Sequence, residues 1–488
     1  MNVQSIPLYI FLSPFISAIF IPFFYKKKYA AHFIAALGLV GSAYFSLQGL
    51  ANVQNGEIIH HFLGGWTPPF GIEWRMDAFS AVMTSMVSIL ALVVIMATRP
   101  TVESEIHHSR LSYYVIVLLH VAALMGMILT RDLFNLFVFL EVSSLTGYAL
   151  IATGDSQRGN VSSLRYLFIG TIGASFYLLG VGYLYAATGT LNMGDLAARL
   201  PEVAASRTVL IGIILILIGL LIKIGLFPFH GWLPDAYTYA SNSASALIAP
   251  LMTKVSIYAF VRIFFGVFGF FALRELHLST ILIALASIAV IAGAVMAFVQ
   301  TQFKRMLAYS SISHIGLILL GFALDNPTAF MGSVLHILNH ALMKAILFII
   351  AAAAFDQYGV KDIYDFSRFR GKMPYTLAAF SVAALSMIGV PPLCGFFSKW
   401  YIVVGAFEAG QFWVAGLILF SSLLTALYFF RVIEQAFFQQ HSPARKQEEA
   451  KPPMVVSAVL LSVTLFVMGW FAPSIFRWGI TYLYPIGS

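Results

Sequence analysis

Apolar residues in this chain gather into long runs separated by short polar stretches. The runs begin near Ile6, Ala30, Ala78, Leu111, Leu133, Leu164, Val209, Ala244, Leu276, Met306, Ala329, Tyr375, Phe412 and Met454. A bilayer's hydrocarbon core asks for about 20 apolar residues per helix, and its lack of water forces each segment to pair its own backbone groups. The pattern therefore predicts an all-α polytopic membrane protein with about 14 transmembrane helices. Short alternating segments, the mark of a membrane barrel, are not evident. The first run, Ile6 to Tyr25, is followed rather than preceded by its charges, Lys26, Lys27 and Lys28, and no small-residue cleavage site is evident. It reads as a retained helix, not a signal peptide. Residues 61–77, HFLGGWTPPFGIEWRMD, read as an interfacial loop holding a short hairpin.

Composition agrees with a membrane chain: 60% of the 488 residues are hydrophobic, only 10% are charged, and mean hydropathy is +0.88. Soluble domains carry about a quarter charged residues. The net charge of +8 comes from basic residues scattered through loops, so it reads as topology and not as a nucleic-acid surface. Loops after odd-numbered helices hold sixteen of them: Lys26, Lys27, Lys28, Arg99, Arg110, Arg158, Arg165, Lys304, Arg305, Lys361, Arg368, Arg370, Lys372, Arg445, Lys446 and Lys451. The other side holds six: Arg75, Arg131, Arg199, Arg207, Arg274 and Arg477. That asymmetry predicts both termini on the non-cytoplasmic side of a plasma (inner) membrane. The single cysteine, Cys394, has no partner for a disulfide, metal or iron–sulfur site, so no cofactor and no redox chemistry are expected within this chain.

An internal repeat is also visible. Lys223 lies five residues before Pro228, Lys399 lies seven after Pro392, and the two lysines are 176 positions apart (399 − 223). A similar shift carries the helix near Leu133 onto the one near Met306. Each unit then contains five helices, so the second is inverted, and each includes a proline-broken helix of the kind transporters use at the midplane. So loose a match also admits a chance reading. The division that follows is 1–109 for three N-terminal helices and the interfacial loop, and 110–270 for the first repeat. The second repeat takes 271–438, and 439–488 covers a polar loop and the last helix.

Charges inside lipid are costly and mark function by default. Lys223 and Lys254 lie deep in the two apolar runs of residues 211–262, Lys344 and Lys399 lie in later runs, and Glu141 sits nine residues past Asp132. A static Glu–Lys tie is one reading of Glu141, but four lysines outnumber it. In VLHILNHALMKAILF, the four-residue steps of His336, His340 and Lys344 form one helix face. Metal binding lacks further ligands, and structural hydrogen bonding remains open. Proton relay suits imidazole best. His230 and Asp235, with Tyr237, form a candidate gate; Ser311 and His314 are secondary relay candidates whose groups could equally serve structure. Arg262 and Arg431, near helix ends, are expected to snorkel toward headgroups.

The segments DLFNLFVFLEVSSLTGYAL, LIKIGLFPFHGWLPDAYTYASNSASALIAPLMTKVSIYAFVR, KRMLAYSSISHIG, HILNHALMKAILF and GVPPLCGFFSKWYI resemble the antiporter-like subunits shared by respiratory complex I, membrane-bound hydrogenases and Mrp-type cation/proton antiporters. The resemblance covers most of the chain. It implies a 14-helix fold with two inverted five-helix repeats, and Glu141 and Lys223 as a coupled pair. It further implies Lys254 and the His336 region as a central relay, and Lys399 as a terminal proton site. FFSKWYIVVGAFEAGQ and HILNHALMK look most like the D-type member of the Mrp antiporters. Lys399 stands where one complex I subunit carries glutamate, and Tyr237 stands where the family often has histidine after PDA, which weakens a relay role there. No long lateral helix follows the last span, unlike the largest complex I subunit. The implied function is a transporter subunit, not an enzyme on its own: proton movement within a multisubunit monovalent cation (Na+)/proton antiporter, with other membrane subunits and the bilayer as partners. The alternative is a proton-pumping subunit of a redox complex.

Overall fold

The computed structural model describes residues 2–24, 26–27, 29–106, 109–154, 156–204, 206–269, 277–369, 372–439 and 449–484. Tyr25, Lys28, Arg274, Arg370, Arg445 and Lys446 lie outside the described residues, as does the division between 270 and 271.

Thirteen helices among the described residues are long and apolar enough to cross a membrane. They are α1 (Ile6–Phe20, extended by a 3-10 turn), α2 (Ala30–Val53), α3 (Ala78–Glu105), α4 (Arg110–Leu129), α5 (Leu133–Ala152) and α6 (Gln157–Thr188). After α7 (Met193–Val203), an amphipathic helix outside the apolar runs, come α8 (Arg207–Ile224), the short α9 (Leu233–Tyr239) and α10 (Asn242–Gly266). The chain continues with α11 (Leu278–Val299), α12 (Phe303–Ala323), α13 (Pro327–Tyr358), α14 (Pro374–Ile388), α15 (Cys394–Glu408), α16 (Phe412–Phe437) and α17 (Pro452–Tyr482). At 15 residues each, α14 and α15 are too short to span alone, and counted together as one broken helix they would bring the total to the expected fourteen. The expected hairpin is present as β1 (Ile59–Phe62) paired antiparallel with β2 (Glu73–Met76).

Side chains fix where these helices start. Asp77 and Ser80 form a capping box before α3, and Asp132, Asn192, Ser241 and Asn326 accept first-turn amides of α5, α7, α10 and α13. The two helix breaks end on glycine in the left-handed region, Gly225 (φ 74°) after α8 and Gly389 (φ 95°) after α14, where a side chain would be strained.

Two five-helix units follow one another: α4, α5, α6, α8 and α10, then α11, α12, α13, the α14/α15 pair and α16. Their connectors correspond. The turn before α5 bridges the strand-like residue after α6 through Asp132 and Asn192, and the turn before α12 bridges the residue after α13 through Gln302 and Asp362. Both shifts are 170 residues (302 − 132 and 362 − 192), six fewer than the lysine spacing suggested. The lysines mislead as markers because Lys223 precedes its break and Lys399 follows the other one.

Burial decides where the site can be. The apolar stretches of α10 and α12 are wholly buried and that of α13 nearly so, enclosed by helices that expose one apolar face. Those three carry Lys254, His314, and His336, His340 and Lys344. Arg262 does not snorkel. It is buried, donates from Nε to the Tyr258 hydroxyl at 2.7 Å, and ion-pairs with Asp77 at the start of α3. Arg431 instead turns inward to donate to the carbonyls of Phe298 (2.7 Å) and Gln300, closing the C-terminal end of α11.

Candidate functional site

The site begins at the side of the molecule. Glu141, halfway along α5, keeps 23% of its side chain exposed, and its Oε1 accepts from Lys223 Nζ at 2.9 Å. Lys223, in the last turn of α8, is 3% exposed. Its amine also donates to Ser144 Oγ at 2.7 Å. Ser144 lies three residues after Glu141 and so shares its helix face. A cation in the final turn of a helix sits where orphan carbonyls favour it, so the break at Gly225 and the acid across from it both stabilise this charge.

A run of touching aromatic rings begins one turn past Ser144, at Tyr148 of α5. Tyr148 meets Tyr166 edge-on at 4.5 Å, Tyr166 stacks on Trp232 at 4.0 Å, and Trp232 lies 6.5 Å from Tyr237. Tyr237 and Trp232 belong to the connector that follows the break, and both are buried. The ring contacts therefore run from Tyr148, one turn past the Ser144 that holds Lys223, to Tyr237.

Lys254 is fully buried; its amine donates to Ala249 O at 2.7 Å and reaches Thr253 Oγ1 at 3.4 Å. Lys344 is equally buried and donates to Leu307 O at 2.7 Å and Ser310 Oγ at 2.5 Å. Lys399 donates to Met387 O (2.9 Å), Ile388 O (3.0 Å) and Ser422 Oγ (3.0 Å). The first two are the terminal carbonyls of α14, so the amine of α15 sits against the negative end of the half-helix before it. Among the described residues none of these three amines has a carboxylate in ion-pair range.

Three imidazoles occupy the space between them. His314 Nδ1 lies 2.9 Å from His336 Nε2, and His336 Nδ1 lies 2.8 Å from Ser398 Oγ, next to Lys399 in sequence. His314 stacks on His336 and on His340, each at 5.2 Å. The rings of His336 and His340 are 6.1 Å apart and nearly parallel, so the predicted stripe is real and His314 of α12 completes it. Among the described residues no protein group reaches either ring nitrogen of the buried His340. An imidazole left so would forfeit about 1–3 kcal/mol per unmet group. Lys254, Lys344 and Lys399 all lie near enough to act electrostatically on His314.

Of the secondary candidates, Ser311 bonds back to its own helix at Leu307 O (3.1 Å), and it is Ser310 that serves Lys344. His230 stacks on Phe227 at 5.0 Å and faces Tyr309 edge-on. Asp235 has both oxygens engaged, by Arg165 at 2.8 Å and Arg305 at 3.2 Å. Sequence reasoning missed Ser144, Ser398, Ser422 and His120. The last is buried, with Nδ1 3.0 Å from Thr146 Oγ1. Ser144 was findable from its spacing to Glu141; Ser422 carries no local signal, because its partner is brought by a different helix. No cluster of three or more metal-ligating side chains occurs among the described residues.

Residues 130–425 match the family described as NADH:quinone oxidoreductase/Mrp antiporter, transmembrane. The chain belongs to that family. The matched stretch runs from the start of α5 into α16 and contains every candidate site residue. Within the family, the chain is 43% identical over 464 residues, 92% of each chain, to a protein of Desulforudis audaxviator named as the N-type member of NADH-quinone oxidoreductase. It is 31% identical over 474 residues, 96% of this chain and 94% of the other, to the D-type member of a Na(+)/H(+) antiporter from Alkalihalophilus pseudofirmus. A chain of the Mrp complex from a Dietzia species superposes with a TM-score of 0.90 at 25% identity, covering 99% of this chain and 97% of that one. The Dietzia chain is part of an Mrp complex, and both relatives are named as subunits.

Proposed function

We propose that this chain is the proton-translocating subunit of a multisubunit Na+/proton antiporter. Protons pass between Glu141–Lys223 and Lys399 by way of Lys254, the three stacked imidazoles and Lys344. The observation that carries this reading is the trio of buried amines, Lys254, Lys344 and Lys399, held only by carbonyls and hydroxyls. An ammonium buried without a counter-ion costs several kcal/mol, so a static set of three would be hard to keep. Amines that gain and lose protons in turn avoid holding all three charges together. Glu141 acts as the switch: paired, it keeps Lys223 charged; drawn away, it leaves Lys223 to pass its proton inward, once the Tyr166–Trp232–Tyr237 cluster moves aside to let water through. Water at His340 continues the path. The chain would lie in the plasma membrane with both termini on the non-cytoplasmic side.

A second reading has a specific support. The 43% identical relative is named as part of NADH-quinone oxidoreductase, so electron transfer in a neighbouring subunit is the alternative drive for the same proton path. Purification with partners intact, followed by identification of those partners, separates the two. The antiporter reading expects small membrane subunits and a Na+-driven pH change in vesicles holding the whole complex. Iron–sulfur partners, with acidification only on adding an electron donor, would replace it with the redox reading.

A further inference from the structure

A cluster of arginines outside the proton path carries a different chemistry. Arg158 and Arg165 project from the first turns of α6, Arg305 from the start of α12, and all three line a cavity of about 420 Å³ with Asp235 and Tyr239 of the short helix α9. Two side chains one turn apart organise them. Asp235 takes Arg165 on Oδ2 and Arg305 on Oδ1. The Tyr239 hydroxyl accepts from Arg305 at 3.3 Å, and its ring lies under the Arg158 guanidinium at 5.6 Å. One carboxylate against three guanidiniums leaves this cavity with a surplus of two positive charges. Arg165 is 64% exposed on its side chain, so the charge faces outward.

What lies below the cavity narrows the ligand. Down the outer face of α6 run Val161, Leu164, Phe168, Ile172 and Leu179, each more than half exposed, at spacings of three, four and seven that keep them on one side of the helix. A cationic pocket at the end of an exposed apolar track matches a headgroup joined to acyl chains. Basic pockets between membrane helices recognise anionic headgroups in this way. We propose that Arg158, Arg165 and Arg305 bind the phosphodiester of an anionic phospholipid whose chains lie along Val161, Leu164 and Phe168. Guanidiniums suit the role because each presents paired N–H groups to phosphate oxygens, and Asp235 holds two of them in place while leaving charge to spare.

The test uses the whole complex in nanodiscs of phosphatidylcholine with a minor share of phosphatidylglycerol bearing a photoreactive headgroup. Cross-linking to the peptide spanning residues 157–168 is quantified by mass spectrometry. Wild type is expected to enrich phosphatidylglycerol over an equally labelled phosphatidylcholine. Each guanidinium is worth about fivefold in such an interaction, so Arg158→Gln should cut the enrichment roughly fivefold and Arg158→Gln with Arg165→Gln roughly 25-fold. Arg158→Lys with Arg165→Lys should keep most of it. Arg158 makes no ion pair with Asp235, so the single variant tests the idea even if the double one fails to assemble. Phe168→Glu, on the acyl track and away from the arginines, should also lower lipid capture. Equal capture of both lipids, or unchanged capture in Arg158→Gln, overturns the proposal. So does displacement of the lipid by inorganic phosphate together with no effect of Phe168→Glu, since the site would then serve free phosphate.

Discussion

At the scale of single residues, the difference between Lys223 and the other three buried lysines is a carboxylate. Glu141→Ala leaves the Lys223 amine with Ser144 alone, and Lys223→Ala leaves a half-buried acid without its cation. Both are expected to abolish ion-driven proton movement in vesicles containing the assembled complex, by tenfold or more if each removes a required relay step (roughly 1.4 kcal/mol per factor of ten). Near-normal rates with normal assembly would remove the switch. Lys399→Ala should be as severe, because no neighbouring amine sits at the end of α14 to replace it; a mild loss would move the terminal site elsewhere. The ionisable residues themselves were legible in the sequence, since a charge within an apolar run announces itself. Their partners were not. Periodicity says which face of a helix a residue occupies, but Ser422 lies 23 positions from Lys399, and Asp77 lies 185 from Arg262. Arg262 looked like a residue reaching for headgroups because nothing near it in sequence is acidic.

At the scale of helices, glycines and caps set how the site is held. A Cβ on Gly219 of α8 would fall 2.6 Å from Gly173 O and 2.8 Å from the Tyr177 amide of α6, so the two helices touch through their backbones. Gly219→Ala forces them apart one turn before Lys223. It should lower stability by about 1–3 kcal/mol and slow transport as the amine shifts from Glu141. A thermal midpoint equal to wild type in the purified complex would mean that this contact yields without cost. The Asp77–Arg262 pair ties the start of α3 to the end of α10. Burial works to raise the Asp77 carboxyl, but Arg262 and the Ser80 amide override it and hold the group well below the usual carboxylate range. With its folded value depressed, Asp77 contributes stability above its unfolded value of about 3.9, and this is lost as pH falls through the folded one. Asp77→Asn should therefore destabilise the protein near neutral pH by about 3–5 kcal/mol, with the gap to wild type closing in strong acid; thermal melts across pH check both. Helix positions followed from the pattern of apolar runs, and the β1–β2 hairpin from the glycines, prolines and tryptophans of residues 61–77. The amphipathic α7 did not, because its polarity hid it among loop residues.

At the scale of the whole molecule, the expected fourteen crossings would return the chain to the side it started from. In the proposed orientation the basic loops face the cytoplasm and that side lies away from it. In a Cys394→Ser background, Gln4→Cys should react with an impermeant maleimide in intact cells, and Lys361→Cys only after permeabilisation; the reverse pattern would invert the topology. The enclosure of α10, α12 and α13 by the other helices buries Lys254, Lys344 and the three imidazoles within the protein. Each of the four lysines of the proposed path nonetheless keeps one alcohol within reach: Ser144, Thr253, Ser310 and Ser422. An alcohol accepts from an ammonium and donates to a neutral amine, which a carbonyl cannot do. A change of charge at any of these amines can therefore be answered by rotation about a single C–O bond, within picoseconds to nanoseconds. On the proposed path, the slow event in turnover would then be wetting of the core or displacement of the aromatic rings, and not solvation of the amines.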